Sequence, residues 1–593
     1  MSLMRLLPIM WKFLRDGILW GLVWGLVFIA PDMVHTHYMV GTHAEAMKVV
    51  AVMSLVFAAL GAGIGFGLFV LAAIYRRLAS DASLSRVATP SLATAVLIPG
   101  IYVAVGAGIY FWKFRTIGGA GWYQRAALLA IAVTIAGALA AAVFLWLTKS
   151  KTRSERERIL TIAACSIAVV VAVVFVMRFP SPGRRGQTAH ALERIASGER
   201  EKRKLIVIAI DGGTWHVISP LMAKGRLPTF ASIIRNGVHG DVKALWPPYW
   251  SIAAWGAITT GHPREDVGVF GDIQVRIPGL PAFQSPMDLE PRLLNITTIE
   301  YLLASRRMIR AEVPDRRSLK VPPVWEMLDR SGIETAVVRF NFSYPATGQA
   351  KIVVSNLALA DVWGLLGVDV PDKSGLVEPA SRRDELLAEF SREKKADSAD
   401  LAKVFPLGKW PKPEDATLNP VGGLRGALHF DFATFTTASH LLETDPEIEV
   451  LFVHIGGVDT IEHMFWQYRF PGEFKHKPAE KDVAALGEVM DRYMEFIDSG
   501  IAKMIGSFSA TPNVLIVSDH GQAAREDGVP FKGWHASPGI FLAAGPDIAP
   551  RAGLLGVSYY DIVPTILDLK GLRKPAELRG QSLLRDARTC CQQ

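Results

Sequence analysis

The chain has 593 residues, a formal net charge of +8 and a mean hydropathy of +0.25, and half of its residues are hydrophobic. This length exceeds one average domain and this hydropathy exceeds that of an ordinary soluble protein, so the composition predicts a membrane part beside a globular part. No stripe of Lys and Arg with interleaved aromatic residues indicates nucleic-acid binding. The three cysteines, Cys165, Cys590 and Cys591, provide neither a disulfide framework nor a thiolate metal site.

Apolar segments before residue 178 predict five transmembrane helices. Four of them are nearly free of charge and approach or exceed the ~20 residues that cross a bilayer. The first carries Lys12, Arg15 and Asp16 near its start and could be a signal peptide, but no small-residue cleavage site follows it, and Trp20 and Trp24 favour a retained helix. The predicted spans are 9–31, 49–75, 92–112, 126–147 and 159–177.

The loops between these segments predict the orientation of the chain. Basic residues cluster between spans two and three and between spans four and five, whereas the alternate loops are less basic. Because basic loops remain in the cytoplasm, the N-terminus is predicted to be cytoplasmic and the residues after 177 to be periplasmic or extracellular. The sequence thus predicts an integral protein of the cell or inner membrane with an exported domain.

The region after the predicted spans has the pattern of an α/β domain. Residues 179–204 are polar and predict a linker. From Leu205 onward, apolar runs such as "LIVIAI", "IEVLFVHI" and "NVLIVS" alternate with amphipathic stretches, which indicates a mostly parallel central sheet covered by helices on both faces. We therefore expect an N-terminal helical transmembrane bundle (1–178) and a catalytic α/β sandwich (205–584), with insertions or a cap at about 271–425 and a tail at 585–593.

Carboxylates and histidines adjoin the ends of the predicted strands, most of them directly after a strand and His535 just before one. In open α/β sheets, ligands bind at the carboxyl ends of the strands, so these side chains are expected to converge. "DTIEH" places its Asp and His four residues apart, on one face if a helix starts there. An Asp-His pair can also be an ordinary turn, and only the whole set favours a site. The six residues are Asp211, Asp459, His463, Asp519, His520 and His535.

The chemistry of this set favours divalent metal ions. Oxygen and imidazole ligands without thiolate suit Zn²⁺, or less selectively Mn²⁺. Six ligands suffice for two ions, and two ions a few ångströms apart form the clamp used for in-line displacement at phosphorus. Histidines near these motifs, which are expected to support the ligands or the fold, are His216, His262 and His454.

The segment "PPYWSIAAWGAITTG" offers a nucleophile. Ser251 follows an extended Pro-Pro stretch and is predicted to begin a helix of small residues. Its hydroxyl would then lie at a positive helix end, beside backbone N–H donors that can hold a phosphate oxygen. The alternative is a helix N-cap, and both roles are compatible.

These motifs resemble a known superfamily. "IDGG", the Ser251 segment closing on Thr260 and Gly261, "DTIEH", "SDHG" and "GWH" occur in the order found in the alkaline phosphatase superfamily, and they look most like its type I phosphodiesterase/nucleotide pyrophosphatase branch. The segment "YYDIVPTILDLKGLRKPAELRGQSLL" resembles the C-terminal signature of that superfamily. The resemblance covers residues 204–584 and implies an alkaline phosphatase-like α/β/α sandwich.

The resemblance also implies a role for each residue. One zinc would be bound by Asp211, Asp519, His520 and the Ser251 alkoxide, and the other by Asp459, His463 and His535. Ser251 would form a covalent phospho-serine intermediate. A second phosphate-binding group is unassigned; Lys532 is a candidate because it is close to His535, although its sequence favours a solvated surface position.

The sequence is compatible with three functions. The first is an outward-facing, membrane-anchored phosphodiesterase or phosphohydrolase that acts on a phosphoester at or near the membrane surface, with a lipid-linked phosphoester as a candidate substrate. The second is a transferase that passes a phosphoethanolamine-like headgroup to a surface glycan or lipid, an analogy based on architecture. The third is a catalytically dead membrane scaffold, which the complete ligand set disfavours. A transporter is disfavoured because spans two to five contain no charge.

Overall fold

The computed structural model describes part of the chain. Individual residues are described between positions 7 and 22 and between 51 and 74, followed by 190–194, 203–246, 249–269, 271–272, 274–276, 283–284, 310–358, 373–388, 420–526, 532–551 and 553–584. The predicted spans 92–112, 126–147 and 159–177 lie outside the described residues. Within the described part of the chain, no helix has both the length and the apolar character needed to cross a bilayer.

The chain divides into two compact units. One comprises Met1–Gly183 with Val275–Arg310, and the other comprises Arg184–Gln274 with Ala311–Gln593. In the first unit, the described residues of 7–22 and 51–74 are helical. A Cβ built on Gly17 would lie 2.1 Å from the carbonyl oxygen of Gly61, so the two backbones pack directly against each other. The small residues at this contact permit the close approach.

The second unit is built on a mixed sheet. Among the described residues, nine strands join in the order β14-β2-β13-β10-β1-β9-β6-β7-β8. Five of the eight neighbouring pairs are parallel, which agrees with the predicted mostly parallel sheet, and β10–β13, β13–β2 and β7–β8 are antiparallel. The strands are β1 (Leu205–Ile210), β2 (Gly237–Val242), β3 (Gln274–Arg276), β4 (Phe283–Gln284), β5 (Arg310–Glu312), β6 (Thr335–Val338), β7 (Ile352–Val354), β8 (Val377–Glu378), β9 (Val450–Ile455), β10 (Asn513–Val517), β11 (Gly521–Ala524), β12 (Gly533–Ala536), β13 (Gly539–Ala544) and β14 (Leu554–Val557).

Helices cover this sheet on both faces. Two consecutive helices are separated at Gly487, where a Cβ would lie 2.7 Å from the carbonyl oxygen of Val483 and 3.1 Å from that of Tyr468. The helices are α1 (Trp215–Ala223), α2 (Pro228–Arg235), α3 (Ser251–Thr260), α4 (Arg264–Val267), α5 (Val324–Arg330), α6 (Pro420–Thr444), α7 (Gly457–Arg469), α8 (Glu480–Leu486), α9 (Val489–Gly506) and α10 (Ile562–Leu569).

Strand β1 shows why the apolar runs are continuous. Ile206 and Ile208 belong to a core that includes side chains of α7 and α9. Val207 belongs to a second core, with side chains of α3 and α10. A strand buried on both faces requires apolar residues at every position, so the three-layer sandwich follows from the sequence of β1.

The register of the central strands positions the site. Ile210 of β1 pairs with Ile455 of β9, and Ala209 pairs with Val517 of β10, all in parallel. The residues that follow these three strands therefore emerge at one edge of the sheet. At the opposite end of the unit, part of the predicted linker is ordered against the domain, because Arg194 forms a bridge with Leu572 and the N–H of Leu192 donates to Ser331 Oγ.

Candidate active site

Ser251 is the first residue of α3 rather than its N-cap. The N-cap is Trp250, which makes no side-chain capping bond, so the capping role considered for Ser251 is wrong. The helix forms from small residues and ends at Gly261, whose φ of +71° suits a residue without a side chain. Ser251 Oγ lies 3.0 Å from His520 Nε2 and 3.2 Å from Asp211 Oδ1. The hydroxyl therefore faces the ends of β1 and β10.

The loops after β1 and β10 bring three predicted ligands together beside Ser251. His520 Nε2 is 3.4 Å from Asp211 Oδ1 and 3.4 Å from Asp519 Oδ2. Asp519 is fully buried, and its Oδ1 accepts the N–H of Gly212 at 3.3 Å. Its Oδ2 has no hydrogen-bond donor among the described residues. Asp211, Asp519 and His520, called the first group here, thus converge beside Ser251.

The second group consists of Asp459 and His463, which lie on α7, and His535, which lies in the β11–β12 hairpin. Asp459 and His463 lie one turn apart on α7, with 3.2 Å between Asp459 Oδ1 and His463 Nε2. His535 Nε2 is 3.5 Å from the same Asp459 oxygen and 3.0 Å from His463 Nε2. His535 lies in β12, which pairs with β11 in a separate hairpin and directly precedes β13, so its predicted position before a strand is confirmed.

Asp459 connects the two groups. Asp459, His463 and His535 each offer a ligand atom within 4.8 Å of the others, and so do Asp211, Asp459 and His520. The rings of His520 and His535 stack with their centroids 3.9 Å apart. The six predicted ligands and Ser251 therefore form one continuous cluster.

Backbone carbonyls orient the three histidines. Nδ1 lies 2.7 Å from Gly533 O in His463, 2.9 Å from Tyr249 O in His535 and 3.0 Å from Gly521 O in His520. A ring that donates from Nδ1 presents the Nε2 lone pair on the other side, and all three Nε2 atoms face the carboxylates.

Burial and mutual charge shift the pKa values in this cluster. Burial, reinforced by Asp211 and Asp459, raises the pKa of Asp519 well above its usual range. Burial, together with His535, lowers the pKa of His520 to about 4. Burial opposes the charge of Asp459, but His463 and His535 hold its pKa well below its usual range.

The residues present fit divalent metal ions. A buried carboxylate oxygen without a donor is costly, and three imidazole lone pairs facing carboxylates form a donor set that a cation satisfies. Carboxylate and imidazole ligands without thiolate are suited to Zn²⁺. The number and the identity of the ions remain a prediction.

Several residues that support the cluster were not predicted from the sequence. Trp255 Nε1 donates to Asp211 Oδ2 at 3.2 Å, and Gln522 Nε2 donates to Asp459 Oδ1 at 2.6 Å. Asp272 Oδ1 accepts the N–H of Ile252 at 3.0 Å. Gln522 could have been suspected because it follows "SDHG", but Asp272 lies in an irregular stretch without a motif.

The remaining histidines named from the sequence, and Lys532, differ in their distance from the cluster. His454 Nε2 lies 3.6 Å from Asp211 Oδ2 and 3.3 Å from Asn341 Nδ2, which places this ring behind the first group. His216 pairs with Glu473 at 2.9 Å in a more exposed position, and His262 contacts the carbonyl of Thr260. The N–H of Lys532 donates to His463 O, which places its backbone beside the site, and a role for its side chain stays a prediction.

A family model describes most of the second unit. The model, type I phosphodiesterase / nucleotide pyrophosphatase, matches residues 205–557, more than half of the chain. The chain belongs to this family. The membership confirms the predicted alkaline phosphatase superfamily and the predicted class, a hydrolase of the phosphodiesterase type.

Individual relatives are more distant from this member of the phosphodiesterase family. The 2,3-bisphosphoglycerate-independent phosphoglycerate mutase of Desulforudis audaxviator is 36% identical over 95 residues, which cover 15% of this chain and 18% of the mutase. That of Akkermansia muciniphila is 27% identical over 193 residues, which cover 25% and 36%. The chain thus spans well under half the length of either mutase. Wild-type alkaline phosphatase PafA aligns over 64% of this chain and 98% of its own, with 11% identity and a TM-score of 0.39.

Proposed function

We propose that the chain is a metal-dependent phosphodiesterase or phosphohydrolase that acts through a covalent phospho-serine at Ser251. The observation that carries this proposal is the position of Ser251 Oγ, 3.0 Å from His520 and 3.2 Å from Asp211, at the N-terminus of α3. A hydroxyl placed beside a metal-type ligand set and a positive helix end is suited to attack phosphorus.

The residues of the cluster are suited to two roles, metal binding and nucleophilic attack. Asp211, Asp519 and His520 would hold one divalent ion beside Ser251, and Asp459, His463 and His535 would hold another. Bound ions would supply Lewis-acid stabilisation of the charge that develops on the reacting oxygens. In the first step Ser251 Oγ gives its proton to solvent and bonds to phosphorus, and the bond from phosphorus to the leaving oxygen breaks, so that this oxygen departs with the electron pair. Water then bonds to phosphorus and gives a proton to solvent, the Oγ–P bond breaks to release phosphate or a phosphomonoester, and Ser251 Oγ takes up a proton.

The proposal is tested with the full chain purified in detergent and loaded with Zn²⁺. Wild type should release the leaving group from an aryl phosphodiester or from the matching monoester, and Ser251→Ala should lower that rate by at least about 10³-fold. Ser499→Ala is the matched control, since its exposed hydroxyl donates to the carbonyl of Glu495 on α9. Turnover that survives in Ser251→Ala would contradict the nucleophile.

The same preparation distinguishes the transferase. In that case Ser251 would become labelled by a phospho-headgroup donor, and release into water would be slow until a glycan or lipid acceptor is added. Rapid hydrolysis without an acceptor would exclude it. A chain with neither bound metal nor a labelled serine would instead support the scaffold.

We also propose that the region before residue 178 anchors the enzyme in a bilayer, with the catalytic unit outside. Support comes from the apolar segments of the sequence and from large apolar side chains that are exposed in the first unit. In the cell, the protein should remain with membranes after extraction at alkaline pH, and protease added from outside should digest the catalytic unit. Extraction into the soluble fraction would overturn the anchor. The exposed residues are Leu7, Trp11, Leu55, Phe66, Val70 and Ile74.

A further inference from the structure

Asp272 occupies an unusual position beside the nucleophile. Its Oδ1 accepts the N–H of Ile252, the residue after Ser251, at 3.0 Å. N–H groups in the first turn of a helix are the donors that bind anions, and Ile252 would otherwise be available to an oxygen of a substrate phosphoryl group. The chain thus places one of its own carboxylates where a negative oxygen of the substrate would be stabilised.

Asp272 forms no ion pair with another side chain among the described residues, where its Oδ1 accepts a backbone N–H. Burial, reinforced by Asp211 and Asp459, raises the pKa of Asp272 to about 6, although the N–H of Ile252 and the charge of His535 act in the opposite direction. At pH 8, above this pKa, the ionised Asp272 adds negative charge to a site whose other carboxyl groups are Asp211, Asp459 and Asp519.

We propose that Asp272 makes the site selective for phosphodiesters over phosphomonoesters. This inference rests on the proposed function of Ser251. Near neutral pH a phosphomonoester carries about two negative charges, whereas a diester carries one and has one phosphoryl oxygen neutralised by its second ester group. A diester can turn this neutral oxygen toward Asp272, but a monoester must bring a charged oxygen there.

The expected size of the discrimination follows from Coulomb's law. One further unit charge at roughly 5 Å and an effective dielectric of about 20 alters a rate ratio on the order of 100-fold. A role in capping α3 alone would predict a different result, because loss of the cap would lower the rates for both esters together.

The decisive variant is Asp272→Asn. Its amide oxygen can still accept the N–H of Ile252, so the cap is retained while the charge is removed. Asp266→Asn is the matched control, since this nearby carboxylate is exposed and lies 3.9 Å from Arg579. Both variants are made in the full chain, loaded with Zn²⁺, and checked for metal content and melting temperature.

The measurement compares kcat/KM at pH 8 for methyl p-nitrophenyl phosphate and for p-nitrophenyl phosphate, which share a leaving group. Asp272→Asn should raise the monoester-to-diester ratio about 100-fold, and Asp266→Asn should leave it unchanged. Inhibition by inorganic phosphate should tighten by a similar factor in Asp272→Asn. A ratio and a phosphate inhibition constant that both stay within about threefold of wild type would overturn the proposal. A wild type without Ser251-dependent turnover of either ester would overturn the proposed function, and this proposal with it.

Discussion

The two halves of the ligand cluster differ in how they are built. Asp519 and His520 follow a central strand, and their side chains are 0% exposed. Asp459 and His463 lie on a helix, and their side chains are 19% and 11% exposed. In the sealed half, defined here as Asp519 and His520, charge is disfavoured, as the raised pKa of Asp519 and the lowered pKa of His520 show; in the open half, defined as Asp459 and His463, charge is favoured at Asp459.

The difference in burial gives the two halves a different dependence on bound metal. Buried carboxylates without donors destabilise a protein until a cation neutralises them, so the sealed half should depend on metal for its stability. In the open half, the negative charge of Asp459 is stabilised by His463 and by the adjacent His535. We therefore expect ions to bind more tightly in the sealed half and to exchange more readily in the open half.

Loss of His520 is expected to lower activity more than loss of His535. His520→Ala removes a ligand that lies 3.0 Å from Ser251 Oγ and should lower kcat/KM by at least about 10³-fold. His535→Ala should cost about 10²-fold and should reduce the metal content by one ion per chain, with activity partly restored by excess Zn²⁺. His216→Ala is a control at an exposed position. Equal losses in both variants, without rescue, would contradict the distinction.

A second comparison uses stability of the metal-free protein at pH 7. A carboxyl whose folded-state pKa is raised stabilises the fold below its unfolded pKa and loses that contribution as pH rises, so Asp519→Asn should increase the free energy of unfolding by about 1–3 kcal/mol. A lowered pKa has the opposite sign, since its contribution is present above the unfolded pKa and lost as pH falls. Asp459→Asn should therefore destabilise the protein. Chemical denaturation measures both, and effects of the same sign would refute the contrast.

The smallest expected effect concerns Gln522. Its Nε2 donates to Asp459 Oδ1 at 2.6 Å and so helps to orient this carboxylate. Gln522→Leu should weaken Zn²⁺ binding in the open half by about 10-fold, with little effect on the sealed half. Titration with a competing chelator resolves the two affinities. Equal weakening of both ions would show that the halves are coupled rather than distinct.

The candidate ligands predicted from the sequence converge in the structure because each of them adjoins a recognisable element. Asp211 and Asp519 follow continuous apolar runs, and such runs are strands buried on both faces of a sheet. The pair Asp459 and His463 was placed on one helix face by its spacing, and α7 carries both. Local periodicity was sufficient for these residues because their geometry depends on their own element.

Sequence reasoning did not find residues that act across elements. Asp272 reaches Ile252 from an irregular loop 20 residues away, and Asn341 contacts His454 from the end of a neighbouring strand. Neither has a periodic signal, because the partner is set by strand order rather than by spacing. The antiparallel direction of β13 was also undetected, since a buried antiparallel strand has the same continuous apolar pattern as a parallel one.

Apolar periodicity and short motifs are local properties of the sequence, and they were sufficient to predict the family, the three-layer α/β architecture and the residues that converge at the strand ends. Three features are visible only in the folded chain: the burial of Asp519 and His520, the position of Asp459 in both groups of candidate ligands, and the contact of Asp272 with the first turn of α3. Those features depend on burial and on distances between segments far apart in the chain, and these quantities exist only once the chain has folded.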